Sequence, residues 1–198
     1  MDVLVGSDRD VRATLDGGSN GACVVACPPH PQHGGSRSDE RLRTVSGALV
    51  DRGVDCLRID YGPWAEGEGE VRDAVDAVRH GREELGYDRL ALFGYSFGGA
   101  VALLAATDAE VDVSAVSALA PAHRLSSGLD AAAAARSLSV SLQVVYGARD
   151  TTVDWEPVVD AVRDRGGGVV ELPADHFFVG QAGNVADRVA PFLGEALG

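Results

Sequence analysis

The residues best suited to chemistry in this sequence begin with a serine at a strand-to-helix corner. Ser96 lies in Gly94-Tyr95-Ser96-Phe97-Gly98, a G-x-S-x-G pattern between an apolar run and an Ala/Leu-rich run. So tight a turn leaves no room for side chains at Gly94 and Gly98 and strains the serine backbone. The pattern predicts a nucleophilic hydroxyl at the carboxyl edge of a sheet. The alternative is an ordinary glycine turn in which Ser96 caps the helix.

A serine hydroxyl is a weak nucleophile at neutral pH and needs a base, for which His176 is the predicted residue. His176 lies in a loop after a strand-like run that ends at Leu172, so it should reach the same sheet edge as Ser96. His123 is the other histidine that follows the serine. It comes after an earlier strand and is the alternative base.

The base in turn needs an orienting acid, and Asp150 is the predicted one. It lies three residues after Gly147, between a strand-like and a helix-like run. A carboxylate buried there would accept the imidazole N–H and fix its tautomer. Aspartate is also a common helix N-cap, which is the alternative role. Asp154 is the reserve acid.

Attack on an acyl carbon also requires two preorganised N–H donors for the developing oxyanion. One is predicted to be the backbone N–H of Phe97. The other should come from the loop "CPPHPQHGGS", where the prolines lack N–H groups and leave His30, Gln32 and His33 as candidates. The loop could equally be only a rigid turn. No third ligand lies near the two histidines, so no metal is predicted there, and no other cofactor signature is present.

The elements that would position these residues alternate between strand-like and helix-like runs. Two short strands, in "DVLVG" and "RDVRATLDGG", should pair through a turn at Gly6-Ser7-Asp8. Six further apolar runs alternate with helical segments, among them "SSGLDAAAAARS". This alternation predicts a three-layer α/β sandwich, with a mostly parallel sheet of about eight strands and helices on both faces. No linker or repeat divides residues 1–198, so one domain is expected.

Four segments together resemble the α/β-hydrolase superfamily, in particular its small lid-less members related to dienelactone hydrolase. They are "CPPHPQHGGS", "GYSFGG", "GARDTTV" and "PADHFF". The resemblance implies that Ser96, Asp150 and His176 act as nucleophile, acid and base through an acyl-enzyme intermediate. Residues 120–138 leave room for one helix and no separate lid, so we expect a shallow, open site.

These observations predict a carboxylesterase-like serine hydrolase that acts on a small-molecule ester or related acyl bond. A thioesterase, a peptidase and a non-catalytic binding or interaction protein of the same fold are the alternatives. Four aromatic residues are predicted to line the acyl pocket, although each could instead belong to the core: Tyr61, Trp64, Tyr95 and Phe177.

The composition indicates which binding partners and which cellular compartment to expect. The 198 residues carry a net charge of −13, and every basic side chain is an arginine. An acidic surface repels polyanions, so nucleic acid is not an expected partner. No apolar run has membrane-spanning length, and the N-terminus lacks the pattern of a signal peptide, so a cytoplasmic protein without membrane contact is expected. Monomer and homodimer both remain open. The cysteines Cys23, Cys27 and Cys56 should be buried small apolar residues.

Overall fold

The computed structural model describes residues 1–6 and 8–198, and an eight-stranded sheet forms its centre. Ser7, in the first predicted turn, lies outside the described residues. The strands are β1 (Asp2–Leu4), β2 (Arg12–Asp16), β3 (Ala22–Cys27), β4 (Asp55–Asp60), β5 (Arg89–Tyr95), β6 (Ala115–Leu119), β7 (Arg124–Ser126), β8 (Leu129–Asp130), β9 (Ser141–Gly147) and β10 (Gly168–Leu172). The large sheet has the order β1-β2-β4-β3-β5-β6-β9-β10. In the large sheet, as far as residues 1–6 and 8–198 describe it, the antiparallel pairs are β1–β2 and β2–β4 and the other pairs are parallel, so the predicted mostly parallel sheet is confirmed.

Helices cover both faces of this sheet. They are α1 (Glu40–Val50), α2 (Glu68–Glu83), α3 (Phe97–Ala105), α4 (Ala131–Ser137), α5 (Glu156–Asp164) and α6 (Ala182–Ala196). Helices α1 and α6 share a core with one face, and α2 to α5 share a core with the other. The predicted three-layer sandwich is therefore confirmed. Within residues 1–6 and 8–198, no helix combines the length and the apolar character that a membrane crossing requires.

The two cores explain why the central strands are continuously apolar. In β3, Cys23 and Val25 point into the core beneath α2 to α5, whereas Val24 and Ala26 point into the core beneath α1 and α6. A parallel strand covered on both faces needs apolar residues at every position. This burial fixes the carboxyl ends of the strands along one edge, where the candidate residues lie.

The connection between β6 and β9 differs from the prediction. The segment "SSGLDAAAAARS" was expected to be helical throughout, but its first part belongs to a small hairpin in which β7 pairs with β8. The helix begins only at Ala131, because the side chain of Asp130 accepts a hydrogen bond from the backbone N–H of Ala133 and caps it.

Candidate active site

Ser96 lies on a strained turn between β5 and α3. Its backbone has φ 57° and ψ −117°, a combination that costs a non-glycine residue about 1–3 kcal/mol. A Cβ at Gly94 would lie 1.9 Å from the carbonyl oxygen of Gly98, and one at Gly98 would lie 2.2 Å from the carbonyl oxygen of Cys27. Both positions therefore require glycine. The packing holds the strained serine at the carboxyl end of β5.

The structure brings Ser96, His176 and Asp150 into one hydrogen-bonded chain. Nε2 of His176 lies 2.9 Å from Oγ of Ser96, and Nδ1 lies 2.7 Å from Oδ2 of Asp150. Because the three residues follow β5, β10 and β9, they meet at the same sheet edge. The carboxylate is fully buried and the imidazole nearly so. Such a chain can accept a proton from the hydroxyl and stabilise the imidazolium that results.

The second carboxylate oxygen of Asp150 is also occupied. Oδ1 accepts hydrogen bonds from the backbone N–H groups of Thr152 at 2.9 Å and Val153 at 3.4 Å. Helix α5 begins only at Glu156, so Asp150 stabilises the preceding turn rather than capping the helix. These contacts fix the carboxylate and leave Oδ2 directed at the imidazole.

The side chains of Tyr95 and Arg41 hold the loop that carries His176. The hydroxyl of Tyr95 donates to the backbone carbonyl of His176 at 3.0 Å, and burial raises the pKa of Tyr95 to about 12, so it stays a donor. Nη1 of Arg41 donates to the carbonyl of Phe177 at 2.8 Å, and the guanidinium lies 4.5 Å from the centre of the Tyr95 ring. Nothing in the sequence around Arg41 indicated this role, since it depends on α1 packing beside the loop.

The loop before α1 supplies fewer oxyanion donors than the sequence suggested. A short 3₁₀ turn, Pro31–His33, directs the N–H of Gln32 to Nδ1 of His30 and the N–H of His33 to the carbonyl of His30. Gln32 and His33 are thus wrong as donors, because their N–H groups are already bonded. Across residues 1–6 and 8–198, nothing accepts a hydrogen bond from the backbone N–H of His30 or of Phe97. These two remain the candidate pair.

A cleft of about 750 Å³ opens above Ser96 and His176. Of the four predicted pocket residues, Trp64, Tyr95 and Phe177 line it. Tyr61 does not, and that prediction is corrected. Its hydroxyl donates to the carbonyl of Pro28 at 3.1 Å and its ring packs edge-on against Phe97, behind the cleft wall. The β7–β8 hairpin also contributes lining residues to the cleft, and the sequence did not predict this contribution.

The alternative base and reserve acid pair with each other. Nδ1 of His123 lies 3.3 Å from Oδ2 of Asp154. The backbone N–H of His123 also donates to the carbonyl of Asp154 at 3.0 Å. The hydrogen-bonding partner of Ser96 is instead His176. The His123–Asp154 pair joins the segment after β6 to the segment after β9.

Cys27, the cysteine nearest the site, is fully buried, as are Cys23 and Cys56. Burial raises the pKa of Cys27 to about 12, which keeps the thiol neutral and unreactive. No group of three or more potential metal-ligating side chains was found among residues 1–6 and 8–198.

Solved structures with similar folds share little sequence with this chain. An α/β serine hydrolase homologue from Coxiella burnetii is 24% identical with a TM-score of 0.82, over 98% of this chain and 97% of that one. A serine hydrolase without a lid from Xanthomonas campestris is 21% identical with a TM-score of 0.81, over 100% and 94%. The chain has the α/β-hydrolase fold.

A third solved structure, of an esterase from Pyrococcus furiosus, is 18% identical with a TM-score of 0.83, over 100% of this chain and 91% of that one. The sequence matches no protein-family model and none of the curated proteins. At such identities the likeness shows the α/β-hydrolase fold alone, and the activity must be argued from the site.

Proposed function

We propose that this protein is a serine hydrolase that cleaves a small ester or related acyl bond. The observation that carries the proposal is the hydrogen-bonded chain Ser96–His176–Asp150, with contacts of 2.9 and 2.7 Å. A binding protein has no need of a nucleophile, a base and an orienting acid in mutual contact. The names of the solved structures with this fold, which include serine hydrolases and an esterase, support the same reaction class.

In the acylation step, Oγ of Ser96 attacks the carbonyl carbon of the substrate while its proton passes to Nε2 of His176. Asp150 stabilises the imidazolium through Nδ1–H. The carbonyl oxygen becomes an oxyanion, for which the backbone N–H groups of Phe97 and His30 are the proposed donors. When the tetrahedral intermediate collapses, the bond to the leaving group breaks. Nε2–H then protonates the departing oxygen, and the acyl group stays on Ser96.

Deacylation repeats these steps with water as the nucleophile. His176 takes a proton from the water while the water oxygen attacks the acyl carbon. It returns this proton to Oγ of Ser96 when the ester bond to the serine breaks. The products are a carboxylic acid and the free enzyme.

The connection between β6 and β9 supports a small substrate. In the described part of the chain it forms the β7–β8 hairpin and the seven-residue helix α4, and the cleft stays open to solvent. A small ester can enter the cleft directly, and its products can leave without domain movement. A panel of p-nitrophenyl esters and thioesters of increasing acyl length, measured over a range of salt concentrations, defines the preferred bond and size.

Covalent labelling tests the proposal. A fluorophosphonate probe should label the folded protein at one site, and Ser96→Ala should abolish both labelling and ester hydrolysis. Ser139→Ala is the matched control, because Ser139 is exposed in a loop outside the cleft, and it should label normally. Equal labelling of the Ser96→Ala protein would contradict the proposal.

A further inference from the structure

Four rings form a continuous surface on one side of the cleft, here called the aromatic wall: His30, His33, Trp64 and Phe97. The centre of the His30 ring lies 4.5 Å from that of His33, 4.6 Å from that of Trp64 and 4.9 Å from that of Phe97. All four residues line the cleft. Trp64 is 37% exposed, which is high for so large an apolar side chain in contact with other rings. The wall therefore offers ring surface directly beside Ser96.

The central ring of the aromatic wall carries no charge. Burial, and then the neighbouring His33, lower the pKa of His30, so its imidazole is neutral at neutral pH. The charged residues elsewhere in the cleft are paired, Arg41 with Asp39 and Arg124 with Asp130. The central ring, His30, is therefore uncharged, and its contacts with Trp64 and Phe97 form a surface that favours a flat apolar group over a flexible alkyl chain.

The segment that carries Trp64 is fixed by a buried carboxylate. Oε1 of Glu70 accepts a hydrogen bond from the N–H of Ala65 at 2.9 Å, and Oε2 accepts one from the N–H of Gly67 at 2.8 Å. Glu70 is fully buried. The bond from Gly67 caps the start of α2, and the bond from Ala65 fixes the residue directly after Trp64.

A second buried carboxylate holds the other side of Trp64. Oδ2 of Asp73 accepts from the N–H of Gly62 at 2.9 Å, and Oδ1 pairs with Nε of Arg9 at 2.7 Å. Arg9 also donates to the carbonyl of Pro63 at 2.6 Å. The chain on both sides of Trp64 is therefore ordered before any ligand arrives, which reduces the entropy lost on binding.

We propose that the aromatic wall is a subsite for a planar aromatic group of the ester, and that Glu70 and Asp73 are positioning residues for it. Hydrolysis of that ester rests on the proposed function, whereas binding of the ring does not.

Two pairs of esters isolate the contribution of the ring. Benzyl acetate and cyclohexylmethyl acetate differ only in the alcohol ring, and methyl phenylacetate and methyl cyclohexylacetate differ only in the acyl ring. In at least one pair the aromatic member should have a kcat/KM about three- to tenfold higher, because ring stacking adds about that much to simple burial. A preference within the first pair assigns the subsite to the alcohol side, and one within the second assigns it to the acyl side.

Substitutions then test whether the aromatic wall causes the preference for the aromatic ester. Trp64→Leu should bring the two members of the pair within twofold, mainly through KM for the aromatic ester. Glu70→Gln should also weaken the preference, because the amide has one acceptor for two N–H groups and its NH₂ would face a donor. The change should appear mainly in KM for the aromatic ester, as it does for Trp64→Leu. Val179→Ser, at a highly exposed position outside the cleft, is the control and should keep the wild-type preference.

The Ser96→Ala protein separates this inference from the proposed function. Titration with both members of each pair, followed by NMR or calorimetry, measures ring binding without hydrolysis. Tighter binding of an aromatic member that Trp64→Leu removes supports the subsite, even if the wild-type protein hydrolyses no ester and the proposed function fails. Equal binding of aromatic and saturated esters, or a preference that survives Trp64→Leu, overturns the subsite and leaves the triad proposal standing.

Discussion

Replacing Asp150 by asparagine gives the sharpest test of the proposed relay, because the structure dictates how the amide must orient. The oxygen that replaces Oδ1 would keep the hydrogen bonds from the N–H groups of Thr152 and Val153. The NH₂ group then faces Nδ1 of His176, which must become an acceptor. The proton moves to Nε2, and the ring donates to Ser96 when it should accept from it. Asparagine therefore preserves the turn and selects the wrong tautomer.

The size of the effect follows from these contacts. Flipping the amide to restore the correct tautomer would point NH₂ at the two partly buried N–H donors of the turn, which costs about 1–3 kcal/mol. Even then, a neutral amide replaces the charge-assisted hydrogen bond to the imidazolium, a loss of about 1.5–3 kcal/mol. Together these amount to about 2.5–6 kcal/mol of transition-state stabilisation. Because about 1.4 kcal/mol corresponds to a factor of ten, kcat should fall by about 10²- to 10⁴-fold.

The assay is kcat on one p-nitrophenyl ester together with the melting temperature of the same preparation. The melting temperature should change by only a few degrees, since the hydrogen bonds to the turn remain. Asp154→Asn is the matched control, because Asp154 is exposed and pairs with His123, and it should retain activity within about threefold. A folded Asp150→Asn protein with kcat within fivefold of wild type would refute the assignment of Asp150 as the orienting acid.

Two further predictions concern stability. Gly98→Ala should lower the melting temperature by about 2–12 °C, because the added Cβ meets the carbonyl of Cys27. Gly47→Ala in α1 meets nothing and should not lower it. Equal melting temperatures would show that the turn can relax. Burial of Asp55 favours a higher pKa, but hydrogen bonds from Gly18, Asn20 and Tyr87 outweigh it and hold the pKa below 3.8. Such a group contributes stability above its unfolded pKa and loses it as pH falls. Asp55→Asn should thus destabilise the protein in urea unfolding at pH 7, with the difference from wild type shrinking below about pH 4; a constant or growing difference would contradict this.

Much of the fold could be predicted because burial on both faces of a parallel sheet leaves a strong local signal. Continuous apolar runs such as "ACVVAC" mark strands without reference to the rest of the chain. The positions of Ser96, Asp150 and His176 were predicted from the strand ends, since each lies within four residues of the end of a strand. The β7–β8 hairpin was missed because its strands have three and two residues, too few to show a period.

The burial and the partners of charged residues were harder to predict from the sequence. Glu70 and Asp73 lie on an amphipathic helix among other charges, and their spacing predicts a solvated face. Both are fully buried because the segment around Trp64 folds over them and supplies N–H donors. Arg41 is similar, since its partner, the carbonyl of Phe177, belongs to a distant loop. A pattern read along one helix contains no information about such partners.

The loop between β3 and α1 shows how backbone hydrogen bonding, which residue types do not reveal, decides what a site can do. Its prolines remove N–H groups, and the turn around His30 uses those of Gln32 and His33. Of the three candidate donors on that loop, only the N–H of His30 has no acceptor among the described residues. The ring of His30 meanwhile packs against Trp64 and Phe97. One residue would therefore serve the oxyanion through its backbone and the aromatic wall through its side chain. Substitution of the His30 ring should alter selectivity between aromatic and saturated esters more than it alters kcat, because the donor remains.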